Sequence, residues 1–253
     1  VDIYPEYFKN TELNKIRYNS FNKSLNLPTR ITDSFSNVFN LNENDKYDSL
    51  KILLNKSLEI EDEFNFYRLL HPLLKNMEIN KRDYHWSISI NSSYVENGIV
   101  EKLIHWAWDK KVKYELDNES LYLYGITLSW FLISSNRKLR DSTTKALVNL
   151  FTNNLEVFLK VLKEFADVTD LYILERLYAV AYGIVLRSIK TNGFKELGMY
   201  IYDTIFNVSF VIEHILIREY ASFTVEYINK HDNLGIELEK IYPPYNQNNI
   251  WTL

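Results

Sequence analysis

The sequence predicts an all-α protein, an α-solenoid array of antiparallel helix pairs behind an irregular N-terminal segment. Glycine (6) and proline (5) are scarce for 253 residues, so the turn-formers that a sandwich, barrel or Rossmann domain needs are missing. Apolar residues recur at helical intervals over most of the chain after Tyr47. One cadence also returns three times: SSNRKLRDSTTKALVNLF from Ser134, LYILERLYAVAYGIVL from Leu171, and VIEHILIREYASFTVEYI from Val211. Aligning Leu139 with Leu174 and Ile217 gives spacings of 35 and 43 residues, the length of a two-helix repeat unit.

Composition bounds the rest. Apolar residues at 46% and charged residues at 25% are ordinary for a folded domain. A net charge of −4 confers no general affinity for nucleic acid or an anionic membrane, so neither is expected as a partner. Cysteine is absent, which excludes disulfides, thiolate catalysis and sulfur-ligated zinc; a reducing, cytoplasmic location is expected. No run reaches about 18 apolar residues, so no membrane-spanning helix is expected. The chain starts at Val1 without an initiating Met, and we expect it to be either processed or a piece of a larger polypeptide.

Three segments follow. Residues 1–92 form the irregular N-terminal part, with Phe21, Leu25, Leu27, Ile31, Phe35, Val38 and Phe39 too apolar for plain disorder and expected to pack on the array. Within it, Leu50, Leu53 and Leu54, then Phe64, Tyr67, Leu70 and Leu74, mark helices, and Pro72 either kinks one or opens another. RDYHWSISINSSY from Arg82 alternates, with Trp86, Ile88 and Ile90 on one side, and reads as a short strand or an extended connector.

Residues 93–230 carry the repeats. Ser93 or Asn91 is positioned to cap a helix whose apolar face is Val100, Leu103, Ile104, Ala107 and Trp108. The basic bend KKVK from Lys110 precedes a helix with Asn118 as cap and Leu121, Tyr124, Leu128 and Phe131 facing inward. Asn136 caps the next helix, to about Thr152, and Asn153 and Asn154 break it before Leu155, Phe158, Leu159 and Leu162. Asp170 caps Tyr172–Lys190, which Asn192 and Gly193 end. Phe194–Phe206 is then an outer helix and Val211–Lys230 an inner one, with Ala146 and Ala181 at matching inner positions. Residues 231–253 form a polar tail, expected to dock through the aromatics of YPPY and Trp251.

The phrases NRKLRDSTTKAL, DLYILERLYAVAYG and EHILIREYASF resemble a HEAT-type repeat, a polar turn followed by an alanine-containing helix. The first two are also similar to the helical region behind the nucleotidase core of large bacterial signal-transducing (STAND-type) ATP-binding proteins, several linked to antiphage defence. The resemblance covers roughly residues 94–230. It implies a sensing or scaffolding array, whose partner is a protein or another domain of the same polypeptide. No GxxxxGK[ST] loop is present, so any ATP chemistry of a parent protein lies outside these residues and no cofactor is expected.

Arg140, Asp141, Glu175, Arg176, Arg218 and Glu219 fall in the first turns of successive inner helices. They form either a ridge along the concave face that grips a partner or a ladder in which each carboxylate accepts from the next arginine. Arg137, Lys138 and Arg140, and Lys110, Lys111 and Lys113, are basic turns interrupted by Glu115, Asp117 and Asp141. The histidines at 71, 85, 105, 214 and 231 have no helical metal spacing. Glu101 and His105 share a face, EIEDEF from Glu59 reads as a solvated face, and Ser134 and Ser135 read as caps. Trp106 lies off its helix's apolar face and is an anchor candidate. The partner-binding set is therefore Arg137, Arg140, Tyr172, Arg176, Arg218 and Trp106; no catalytic or metal residue is assigned. Two alternatives stay open: a helical nuclease or hydrolase fragment, using Glu61, Asp62, His71 or His85, and a nucleic-acid-binding solenoid.

Overall fold

The computed structural model describes residues 49–51, 53–55, 57, 60, 65–109 and 116–245. The expectations for residues 1–48, for most of EIEDEF with Glu61 and Asp62, for KKVK and Glu115, and for Trp251 lie outside the described residues. Among the described residues there are helices and no strand. None of these helices is long and apolar enough to cross a membrane.

Helix α1 (Phe66–Asn76) starts at Asn65, whose Oδ1 accepts from the Tyr67 N–H at 2.7 Å. Pro72 lies inside α1, so Arg68 loses its usual amide donor there. Next come α2 (Ile79–Arg82), a π-helical turn (Asp83–Ser87) and α3 (Ile88–Ser93) without interruption. The strand or connector expected here is a helix. Arg82, Trp86 and Ile90 are buried at steps of four, whereas Ile88, the middle of the apparent alternation, is exposed. Burial at i and i+4 is a helical signature, and three alternate apolar residues were too few to tell the periods apart.

Helix α4 (Ile99–Trp108) is capped by Gly98, not by Ser93 or Asn91, which lie in α3. A Cβ on Gly98 would sit 2.7 Å from the Ser93 carbonyl oxygen, so the tight turn requires glycine. Glu101 reaches back to accept from the Asn97 N–H at 2.8 Å. Helix α5 (Asn118–Ser129) and its 3₁₀ extension (Trp130–Ile133) are capped by Asp117 rather than Asn118, because its carboxylate reaches the N–H groups of both Glu119 and Ser120. Those bonds hold the Asp117 carboxyl below the usual range. Helix α5 is buried nearly all round because α1, α6 and α7 pack on it.

Helices α6 (Arg137–Phe151), α7 (Leu155–Glu164), α8 (Leu171–Arg187), α9 (Phe194–Ile201) and α10 (Ile215–His231) complete the set. A π turn (Tyr202–Phe206) extends α9, and a 3₁₀ turn (Leu238–Ile241) follows α10. Contacts sort these helices into two rows. In one, α4, α6, α8 and α10 touch in that order; in the other, α1, α5, α7 and α9 do. Two helix ends differ from expectation. Helix α8 stops at Arg187, and Gly193, at φ 82°, caps α9 instead of ending α8. Helix α10 begins at Ile215, after an irregular Val211–His214.

The caps set the register of the first row. Asn136, Asp170 and His214 each accept a backbone N–H at the start of α6, α8 and α10. Three residues after each cap come Leu139, Ile173 and Ile217, all buried. Seven after come Thr143, Leu177 and Ala221; ten after, Ala146, Val180 and Thr224; eleven after, Leu147, Ala181 and Val225, again buried. Leu174, aligned with Leu139 from sequence, is only half-buried, so the true register of the middle unit is one residue earlier. Ala146 therefore matches Val180, and Ala181 matches Leu147. Where α6 and α8 meet, closeness comes from Gly183, where an added Cβ would lie 2.7 Å from Val148 Cγ2.

Candidate functional site

Five residues after the three caps stand three acids, Asp141, Glu175 and Glu219. Arg176 of α8 places Nη1 3.4 Å from Asp141 Oδ1 of α6, and its Nε lies 3.7 Å from Glu175 Oε1. Glu175 in turn faces His214 Nε2, the cap of α10, at 3.6 Å. The His214 Nδ1 accepts from the Ile217 N–H, which leaves Nε2 as the N–H that faces the carboxylate. Asp141 and Glu175 thus each look toward a base on the following helix. This is the ladder geometry, with His214 in the place where Arg218 was expected.

Arg140 and Arg218, each four residues after a cap, do something else. The Arg140 Nη1 donates to the Ser134 carbonyl at 2.8 Å, and its guanidinium lies 5.0 Å from the Tyr172 ring centre on α8. The Arg218 Nη1 donates to the Ile212 carbonyl at 3.2 Å, with its guanidinium 4.9 Å from the Tyr245 ring. Both arginines fold back on the carbonyl two residues before their own cap and stack on an aromatic ring. Tyr245 belongs to the tail, so a tail residue stands against α10 as the next helix stands against α6. Its ring also stacks on Phe206, 6.1 Å away, and its hydroxyl donates to the Ile241 carbonyl at 3.2 Å.

Of the six residues assigned to partner binding, Arg137 is the one that points mainly to solvent, its side chain 87% exposed. Arg140, Tyr172, Arg176 and Arg218 are half-buried in the contacts just described. Trp106 is half-buried with its ring 5.0 Å from Tyr124, and the exposed tryptophan of α4 is Trp108, assigned from sequence to the apolar face. Ser134 does act in a turn, its Oγ accepting from the Asn136 N–H.

A second polar cluster had no sequence signal, since its members lie far apart in the chain. His71 of α1 is buried; its Nδ1 accepts from the Trp130 indole N–H at 2.9 Å, so Nε2 carries the proton toward Glu164 Oε1 at 3.0 Å. Lys75 bonds the same oxygen at 3.2 Å and pairs with Asp167 at 2.9 Å, and Tyr122 donates to Glu164 Oε2 at 3.2 Å. Burial lowers the His71 imidazole despite Glu164. Burial works to raise the Glu164 carboxyl, but bonds from His71 and Lys75 outweigh it and hold it low. Nearby, the fully buried Arg82 donates to the Met77 carbonyl and lies 3.7 Å from Asp170 Oδ2 and 5.4 Å from the Trp130 ring. Because both His71 nitrogens are spent on protein groups, the imidazole is not placed as a general base.

Among the described residues, no group of three or more His, Asp or Glu is arranged to hold a metal ion. Comparison with protein-family models, curated proteins and solved structures yields no match.

Proposed function

We propose that the chain is a HEAT-like helical array that serves as a protein-interaction or sensing scaffold, as part of a larger bacterial defence-type NTPase. The observation that carries this reading is the common register of α6, α8 and α10. The same buried positions, and an acid at the same place, recur after each cap, and each of the first two acids faces a base on the next helix. Repetition of one junction is how a solenoid extends without a central core, and it leaves one face of the row open to a large ligand.

The nucleic-acid reading has less support, because Arg140, Arg176 and Arg218 are turned onto carbonyls, carboxylates and rings rather than outward to phosphates. The test is a photo-crosslinking residue placed singly at Arg137 or Leu171 on the first row, and at Lys160 or Lys195 on the second, in the full chain inside cells. The expected result is a common protein adduct from the first pair and none from the second. Adducts only from the second pair, or nucleic acid as the adduct, would overturn the reading.

A further inference from the structure

The open face of the first row changes chemistry from one helix to the next. One residue after the caps come Arg137, Leu171 and Ile215; two after, Lys138, Tyr172 and Leu216; nine after, Lys145, Ala179 and Phe223. Each column starts with a base on α6 and ends with an apolar side chain on α10. Ile215 is 62% exposed, Phe223 45% and Leu216 41%, and Lys138 and Lys145 are exposed without an ion pair to a described residue. Among the described residues, the acid that Arg137 approaches is Asp141, at 3.4 Å, which it shares with Arg176. The described part of the tail stacks Tyr245 on Arg218; Ile215 and Leu216 stay exposed beside it, while the Phe223 ring lies 5.5 Å from that of Tyr182 on α8 and keeps its outer side open.

We propose that this face receives a segment of a partner protein that is acidic over α6 and apolar over α10, an inference that rests on the scaffold reading above. Neighbouring packed helices lie about 8–10 Å apart, so α6 and α10 are separated by roughly 16–20 Å. An extended chain covers that distance in about five or six residues at about 3.3 Å each. The segment thus carries Asp or Glu at one end and a Leu, Phe or Trp anchor about five residues away. The acidic end supplies orientation and a salt-sensitive attraction, and the apolar end supplies most of the affinity.

The test uses a random 12-residue peptide library displayed on phage and selected on the full chain at low salt. Enriched peptides should combine an acidic end with an apolar anchor at that separation. Fluorescence anisotropy of the enriched peptides should show at least a tenfold weakening with R137E/K138E and with I215D/L216D, while circular dichroism stays unchanged. All four positions are exposed, so neither variant disturbs the packed row. Enriched peptides without acids, peptides indifferent to both variants, no enrichment, or self-association of the chain through this face would each overturn the proposal. If crosslinks at Arg137 and Leu171 persist while the peptides ignore these variants, the scaffold reading stands and the assigned polarity falls.

Discussion

The two rows hold their polar groups in opposite ways. Around α1, α5 and α7, the cluster is centred on the buried His71, with Glu164 and Lys75 part-buried, and both His71 ring nitrogens and both Glu164 carboxylate oxygens have partners near 3 Å. Along α6, α8 and α10, the charges stand 3.4–3.7 Å apart, and all but the buried Glu175 are partly wet. A buried, saturated cluster locks helices at one distance, because losing any member strands the others without water. A wet ladder sets which helix follows which at small cost or gain, and it leaves the surface beside it free for a partner. Asp170 belongs to both systems, capping α8 with Oδ1 while Oδ2 faces the buried Arg82.

That double role gives the sharpest way to break the contrast. Asp170→Ala should lower stability by about 3–5 kcal/mol in denaturant unfolding, since Arg82 is left as an uncompensated buried charge. Loss of the α8 cap adds about 1 kcal/mol. Asp170→Asn keeps the cap and removes the charge, so the difference between the two variants separates the contributions. A loss below about 1 kcal/mol in both would show that Arg82 is solvated after all.

The buried cluster should also announce itself by pH. The folded His71 imidazole lies below its ordinary 6.5, so below that value the unfolded chain takes up more protons than the folded one. Stability should be complete above 6.5 and fall as pH drops toward the folded value. A second fall should follow at lower pH, as the depressed Glu164 carboxyl is protonated. Denaturant midpoints across this range should show the first fall in the native chain and not in His71→Gln. A native profile flat from pH 7 to below 6 would mean that His71 is not buried neutral.

The ladder should respond least. Arg176 and Asp141 are 22% and 39% exposed in their side chains, so Arg176→Ala should cost under about 1 kcal/mol and lose even that at high salt. A cost of several kcal/mol would place this pair with the buried cluster and remove the distinction between the rows.

Much of the helical order was legible because it is local. Asn136 and Asp170 can be read as caps from their place before periodic runs, and Asn153 as a break, here at φ 68°. The errors are also local ambiguities resolved by burial. Leu174 and Ile173 are adjacent and both apolar, and only packing chose Ile173. Trp106 and Trp108 were exchanged because two residues of helix turn the side chain by more than half a circle, and the ring of Tyr124 decided which one was covered.

By itself, then, the sequence determined the helical class, the starts of α6, α7, α8 and α9, and the recurrence of an acid near the start of α6, α8 and α10. These depend on 3.6-residue periodicity and on caps a few residues away, which any reader of the chain can see. Tertiary structure alone decided that Asp141 meets Arg176, that Tyr245 stands in for a following helix, and that His71, Trp130 and Glu164 close on one another. Those contacts join residues tens of positions apart, and their partners are selected by where whole helices come to rest, which no local pattern encodes.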